Sequence, residues 1–103
     1  MKIVYMGTPE FAVLPLKALY DAGHEISLVV TQPDKPKGRG HKMMPPEVKV
    51  FAEEKNIPVY QPQSMKTDEA FETLKKEDAD LFVVAAYGKI LPQRILDIPK
   101  HGY

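Results

Sequence analysis

The chain has 103 residues with fourteen basic and fourteen acidic side chains and no cysteine, a size that fits one domain with a modest core. Balanced charge excludes a global field toward nucleic acid or membrane, so any polyanion binding must be local, and the missing cysteines exclude disulfides and thiolate metal sites. With His24, His41 and His101 scattered, no apolar stretch near the roughly 20 residues that span a bilayer, and no signal-peptide core after Met1-Lys2, the composition reads as a metal-free, membrane-free, cytoplasmic protein.

In chain order, Ile3-Val4-Tyr5-Met6 is a β-rich run closed by Gly7, and Thr8-Pro9-Glu10 then supplies a cap, a first-turn proline and an acidic residue. A strand therefore feeds a helix. Phe11, Leu14, Ala18, Leu19 and Ala22 approximate one helical face, while Pro15 interrupts the ladder, which predicts a first turn, a helix restarting near the proline, and an end at Gly23. Ile26 to Val30 is the second strand. Residues 32–46 carry four prolines and two glycines, a composition read as a long functional loop without regular structure. Glu47 to Asn56 reads as a helix with Val48, Phe51 and Ala52 inward, and Ile57 to Tyr60 as a short strand kept near an edge by Pro58. Thr67 caps a helix over 68–77 with Ala70, Phe71 and Leu74 on its apolar face. The fourth strand is Leu81 to Ala86, and a short helix over 91–96 is stopped by Pro99. Strands alternating with helices imply right-handed βαβ crossovers: an α/β, Rossmann-like, three-layer fold with a parallel sheet of about four strands.

Three segments carry chemistry. The run Leu81 to Ala86 is apolar on every residue and stops at Tyr87-Gly88-Lys89-Ile90-Leu91-Pro92, which reads as a buried parallel strand delivering a loop to the sheet's carboxyl edge, where open α/β sheets bind ligands. The plain alternative is a strand-to-helix turn with Ile90 and Leu91 plugging the core. In the segment 31–42, Lys35, Lys37, Arg39 and Lys42 face the single Asp34, a local excess of positive charge in a chain of zero net charge. A solvated charge run is the plain reading; Gly38 and Gly40 flanking Arg39 argue for a backbone free to reshape around nucleic acid, with the arginine forked onto phosphate or a base edge. At the front, Gly7-Thr8-Pro9-Glu10-Phe11 lacks the second and third glycines of a dinucleotide fingerprint, which argues against a nucleotide cofactor and leaves Thr8 as a helix cap and Phe11 as a core residue.

Together these three segments, in this order and spacing, resemble the amino-terminal part of the methionyl-tRNA formyltransferase family, from Met1 to Tyr103 without an obvious gap. The resemblance implies transfer of a formyl group from 10-formyltetrahydrofolate to methionyl-initiator-tRNA in translation initiation. It implies that Tyr87, Gly88, Ile90 and Leu91 line the folate slot and that Phe11 lines the pocket for the methionine side chain. It further implies that Lys35, Lys37, Arg39 and Lys42 approach the tRNA acceptor stem, with Arg39 central, and that no DNA is involved.

Formyl transfer passes through a tetrahedral oxyanion that needs polar stabilisation and proton movement. In the family those tasks fall to an Asn-x-His triplet and a later aspartate, which this sequence does not contain; His101 has Pro99, not asparagine, two residues before it. The expectation is therefore a partial amino-terminal domain over 1–103, inactive by itself, with its fourth strand on an open edge that invites self-association. A formyltransferase acting on a nucleotide sugar or other small amine is the alternative within the superfamily, and a non-catalytic Rossmann-like binding module the alternative outside it.

Overall fold

The structure, a computed structural model, describes residues 1–37, 40 and 42–103. Strand β1 (Lys2–Gly7) leads through a single 3-10 turn (Glu10–Ala12) into α1 (Val13–Asp21), followed by β2 (Glu25–Val30). A small hairpin of β3 (Lys35–Lys37) and β4 (Lys42–Met44) precedes α2 (Glu47–Glu54), β5 (Val59–Tyr60), α3 (Asp68–Lys76), β6 (Leu81–Ala85) and α4 (Gln93–Leu96). The main sheet has the order β5-β2-β1-β6, and every pairing in it is parallel.

Alternation along the central strand explains the two cores. Ile3 and Tyr5 point to one face, where Ala12 and Leu16 of the first helical segment and Val48, Phe51 and Ala52 of α2 cover them. Val4 and Met6 point to the other, under Ala70 and Leu74 of α3 and Ile95 of α4. Both faces being covered, β1 is buried from Ile3 to Met6, as a parallel strand must be. Register slips once, where Ile3 pairs with Ile26 but Val4 with Leu28, so Ser27 is the extra residue of a bulge in β2. Helices after β1 and β2 lie on one face and those after β5 and β6 on the other, so the chain reverses its direction of winding between β1 and β6. That is the topological switch point of this sheet, the place where open α/β sheets form a crevice.

Three local readings need correction. Residues 32–46 do contain regular structure: Lys35 pairs with Met44, Pro36 with Met43 and Lys37 with Lys42 in an antiparallel ribbon. Proline is tolerated because both strands of a two-stranded ribbon are edges, where a missing N–H costs no interior ladder bond. Phe11 and Leu14 are not core residues but are 69% and 72% exposed, and the buried positions are Ala12 and Leu16. The 3-10 turn over Glu10–Ala12 winds at three residues per turn, which shifts the phase of the buried face relative to an unbroken α-helix. Thr8 caps nothing: the residue before the turn is Pro9, without a side-chain cap bond, and the Thr8 hydroxyl crosses the sheet instead.

The edge strand β6 is partly covered. Phe82 N donates to Gly102 O and His101 N to Asp80 O, so the last residues lie along its amino-terminal half, while Val84 further along is 41% exposed.

Candidate functional site

Gly7, the last residue of β1, packs where a side chain has no room: an added Cβ would sit 2.9 Å from Ala85 O and 3.0 Å from both Ala12 Cβ and a Tyr5 ring carbon. This close approach lets the turn after β1 meet the loop after β6. Thr8 Oγ1 donates to Tyr87 O at 2.9 Å, and Gln32 Nε2 donates to the same carbonyl at 2.9 Å. Gln32 N in turn donates to Thr8 Oγ1 at 3.3 Å. The ends of β1, β2 and β6 are thus laced together by side chains and loop carbonyls beyond the last ladder bonds.

The loop that follows β6 is shaped by two residues in the left-handed region, Ala86 (φ 55°) and Gly88 (φ 89°). Alanine seldom adopts this conformation, and such strain concentrates at ligand sites. Between them the Tyr87 ring turns inward and is 2% exposed in the core beneath α3 and α4, where burial, reinforced by the nearby Tyr60 phenol, pushes its pKa up to about 12. At the sheet edge, then, Tyr87 presents backbone rather than ring. Lys89 Nζ donates to Gln63 O at 3.0 Å, Ile90 is 73% exposed, and Leu91 is half-buried against the core under α4. Tyr87, Gly88, Ile90 and Leu91 therefore make one short segment at the switch point, clamped at both ends with Ile90 free between.

The hairpin rises from the end of β2 on the same edge. Asp34 at its foot accepts from Gln61 Nε2 at 2.7 Å and from Lys49 Nζ at 3.2 Å; these partners hold its carboxyl below the usual carboxylate range. Gln61 Nε2 also donates to Gln32 O at 3.1 Å. Lys49 of α2 thereby offsets the Asp34 charge locally, and Lys35 and Lys42 stand exposed on the ribbon. Lys37 lies in β3, and Arg39 lies outside the described residues. Beneath the hairpin is a cavity of about 240 Å³ walled by Pro9, Pro33, Met44 and Pro46, with Glu10, Lys35 and Glu47 at its rim. Phe11 and Leu14 flank a separate open recess of about 520 Å³ with Glu10 and Val13. His101 is far from all of this, since its N–H binds Asp80 O at the opposite, amino end of β6.

Comparison with known proteins decides the family. The formyl transferase family model matches residues 1–103. The chain belongs to the formyl transferase family. Its relatives include the methionyl-tRNA formyltransferases of Geobacter sulfurreducens, 53% identical over 102 residues, and of Macrococcus caseolyticus, 58% identical over 101 residues. These alignments cover 99% and 98% of the chain but 32% of each relative, so this formyl transferase chain spans about a third of their length. Among solved structures, the phosphoribosylglycinamide formyltransferase of Anaplasma phagocytophilum superposes with a TM-score of 0.61 at 20% identity, covering 92% of this chain and 43% of that one. At that identity the likeness speaks to the fold, and it matches the Rossmann-like architecture expected from the strand and helix order.

Sequence reasoning missed the residues that hold the formyl transferase edge together. Gln32 lies in the 31–42 segment without a role of its own there, Gln61 and Lys49 stand in no recognisable motif, and their partners are 55, 29 and 15 residues away. The only local signal was their placement just beyond a strand or on the helix that follows a basic loop.

Proposed function

We propose that this chain forms the folate- and tRNA-facing part of a methionyl-tRNA formyltransferase, an enzyme of the cytoplasm that moves the formyl group of 10-formyltetrahydrofolate onto the amino group of methionyl-initiator-tRNA. The observation that carries this reading is the meeting of two loops on one sheet edge: the clamped 87–91 segment at the switch point and the basic hairpin beside it, tied through Gln32. A flat pteridine fits against Gly88, Ile90 and Leu91, where apolar contact is available next to backbone donors and acceptors. Phe11 and Leu14 offer an apolar recess to the methionine side chain. Lys35, Lys37, Arg39 and Lys42 meet the phosphates of the acceptor stem, with Arg39 giving the bidentate contact. A small-amine acceptor would have no use for such an arm.

In this reading the chain's residues bind and orient, while the polar groups that stabilise the tetrahedral oxyanion are supplied from elsewhere. The chain alone therefore binds folate weakly and transfers no formyl group; formylmethionine formed above a heat-treated control would overturn that division of labour. The exposed part of β6 beyond Gly102 is the surface through which copies of the chain would self-associate, and a sedimentation series that stays monomeric over a wide concentration range would remove that part of the proposal. The site assignment is tested at Arg39. Arg39→Ala should weaken binding of an acceptor-stem RNA by about tenfold and flatten its salt dependence by about one charge, with folate affinity unchanged. Equal loss of both ligands would mean that the arginine supports the fold rather than the RNA.

A further inference from the structure

By sequence Gln32 belongs to the foot of the hairpin, where its carbonyl shares the Gln61 amide with Asp34, yet its side-chain amide and its N–H reach away from it. Its side-chain amide donates to Tyr87 O, its N–H donates to Thr8 Oγ1, and its carbonyl accepts from Gln61 Nε2. One residue at the end of β2 is thus bonded to the segments that follow β6, β1 and β5, which are all the other strands of the sheet. The Tyr87 carbonyl needs such a partner. It lies between the left-handed residues Ala86 and Gly88, past the end of the β6 ladder, so no neighbouring strand supplies its donors. Thr8 Oγ1 has one proton and spends it on this carbonyl, leaving its lone pairs for Gln32 N and the Thr31 hydroxyl. Gly88 completes the arrangement: a Cβ there would run into Gln32 Nε2, so the amide occupies the space that the glycine leaves.

We infer that Gln32 is a positioning residue for the 87–91 loop: its side-chain amide fixes the direction of the Tyr87–Gly88 peptide and thereby the shape offered to the folate, with no part in holding RNA. The ligand arm of this inference rests on the folate reading of that loop; the conformational arm does not. Gln32→Met preserves length and volume and removes the donor. Amide hydrogen exchange at Gly88 and Lys89 should rise about tenfold, affinity for 10-formyltetrahydrofolate should fall about fivefold to tenfold, the scale of one net hydrogen bond, and affinity for an acceptor-stem RNA hairpin should stay within about twofold. Thr8→Val removes the second donor, and the double variant should lose more folate affinity than the two single changes combined, because only then is the carbonyl left without a partner.

Unchanged exchange at Gly88 and Lys89 in Gln32→Met would overturn the inference. So would parallel losses of folate and RNA binding, since a merely structural glutamine would damage both. Should the unaltered chain bind no folate at all, the functional reading of the loop falls, and the exchange comparison decides the positioning role by itself. If Gln32→Met does not fold, Gln32→Glu, which keeps a polar chain of the same length and removes the donor, carries that comparison, with the same rise expected at Gly88 and Lys89.

Discussion

The basic hairpin and the 87–91 loop leave the same edge of one sheet and are held in opposite ways. Among the described residues the hairpin strands pair with each other, Met43 and Met44 are exposed along it, and Asp34 at the foot is bonded to Gln61 and Lys49. The loop is held from within: the Tyr87 ring is buried, its carbonyl has two donors, and Lys89 is tethered to Gln63. A segment that offers backbone to a flat ligand has to be fixed atom by atom, because a peptide that rotates no longer presents the same donors. An arm that offers long cationic side chains needs only a fixed base, since charge acts over several ångströms and the side chains adjust.

If the loop is built on its buried ring, removing that ring should do the greatest damage of any change on this edge. Tyr87→Ala should cost about 3–5 kcal/mol in denaturant unfolding, the range for emptying a large aromatic site. Tyr87→Phe should be close to neutral, because the phenol hydroxyl is buried with no hydrogen-bond partner among the described residues. The same hydroxyl gives an alkaline signature. With its pKa raised from 10.0 to about 12, the folded state keeps the proton that the unfolded chain releases above pH 10. Folding then binds the extra proton, and stability falls as pH rises from 10 to 12, by about 2–3 kcal/mol when complete. Tyr87→Phe should remove that share of the loss and leave that of Tyr5, whose pKa burial also raises.

A pair of glycine substitutions sharpens the contrast. Gly88 and Gly40 share a left-handed backbone, at φ 89° and 83°, but a Cβ at Gly88 meets Gln32 whereas one at Gly40 meets none of the described residues within 4 Å. Gly40→Ala should therefore cost only the conformational strain, about 1 kcal/mol, and Gly88→Ala that strain plus displacement of the Gln32 amide, about 2–3 kcal/mol. Equal costs would mean that the loop yields as readily as the arm.

Much of this edge was legible in the sequence, and the boundary of legibility is physical. Apolar runs ending in glycine marked β1 and β6, and the fourth strand lies in the stretch expected for it; that it pairs with β1 emerges from the strand order of the assembled sheet. Thr67 does cap α3, accepting from Ala70 N, because an N-cap is read from residues three apart. Thr8 looked like the same device and is not; its hydroxyl finds a carbonyl 79 residues away, and nothing local distinguishes the two threonines. The hairpin was hidden for a related reason: prolines that exclude an interior strand are compatible with a ribbon that is all edge. Gln32 and Gln61 are neutral amides whose roles exist only once the four strand ends are assembled.

The smallest effect concerns the latch at the hairpin's foot. Gln61 and then Lys49 hold the Asp34 carboxyl below its ordinary value of 3.8, so the latch favours the folded arm at neutral pH and is lost as pH falls through that lowered value. Asp34 and Lys49 remain partly exposed, and such pairs add little to global stability. Lys49→Met should accordingly leave the unfolding midpoint almost unmoved while amide exchange in β3 and β4 rises severalfold, with Gly88 and Lys89 unaffected because Gln32 still holds the Tyr87 carbonyl. Acidification should reproduce the same pattern in the unaltered chain. If loosening the foot instead released the 87–91 loop as well, the two regions would form one mechanical unit, and the separation between an arm held at its base and a loop held from within would not stand.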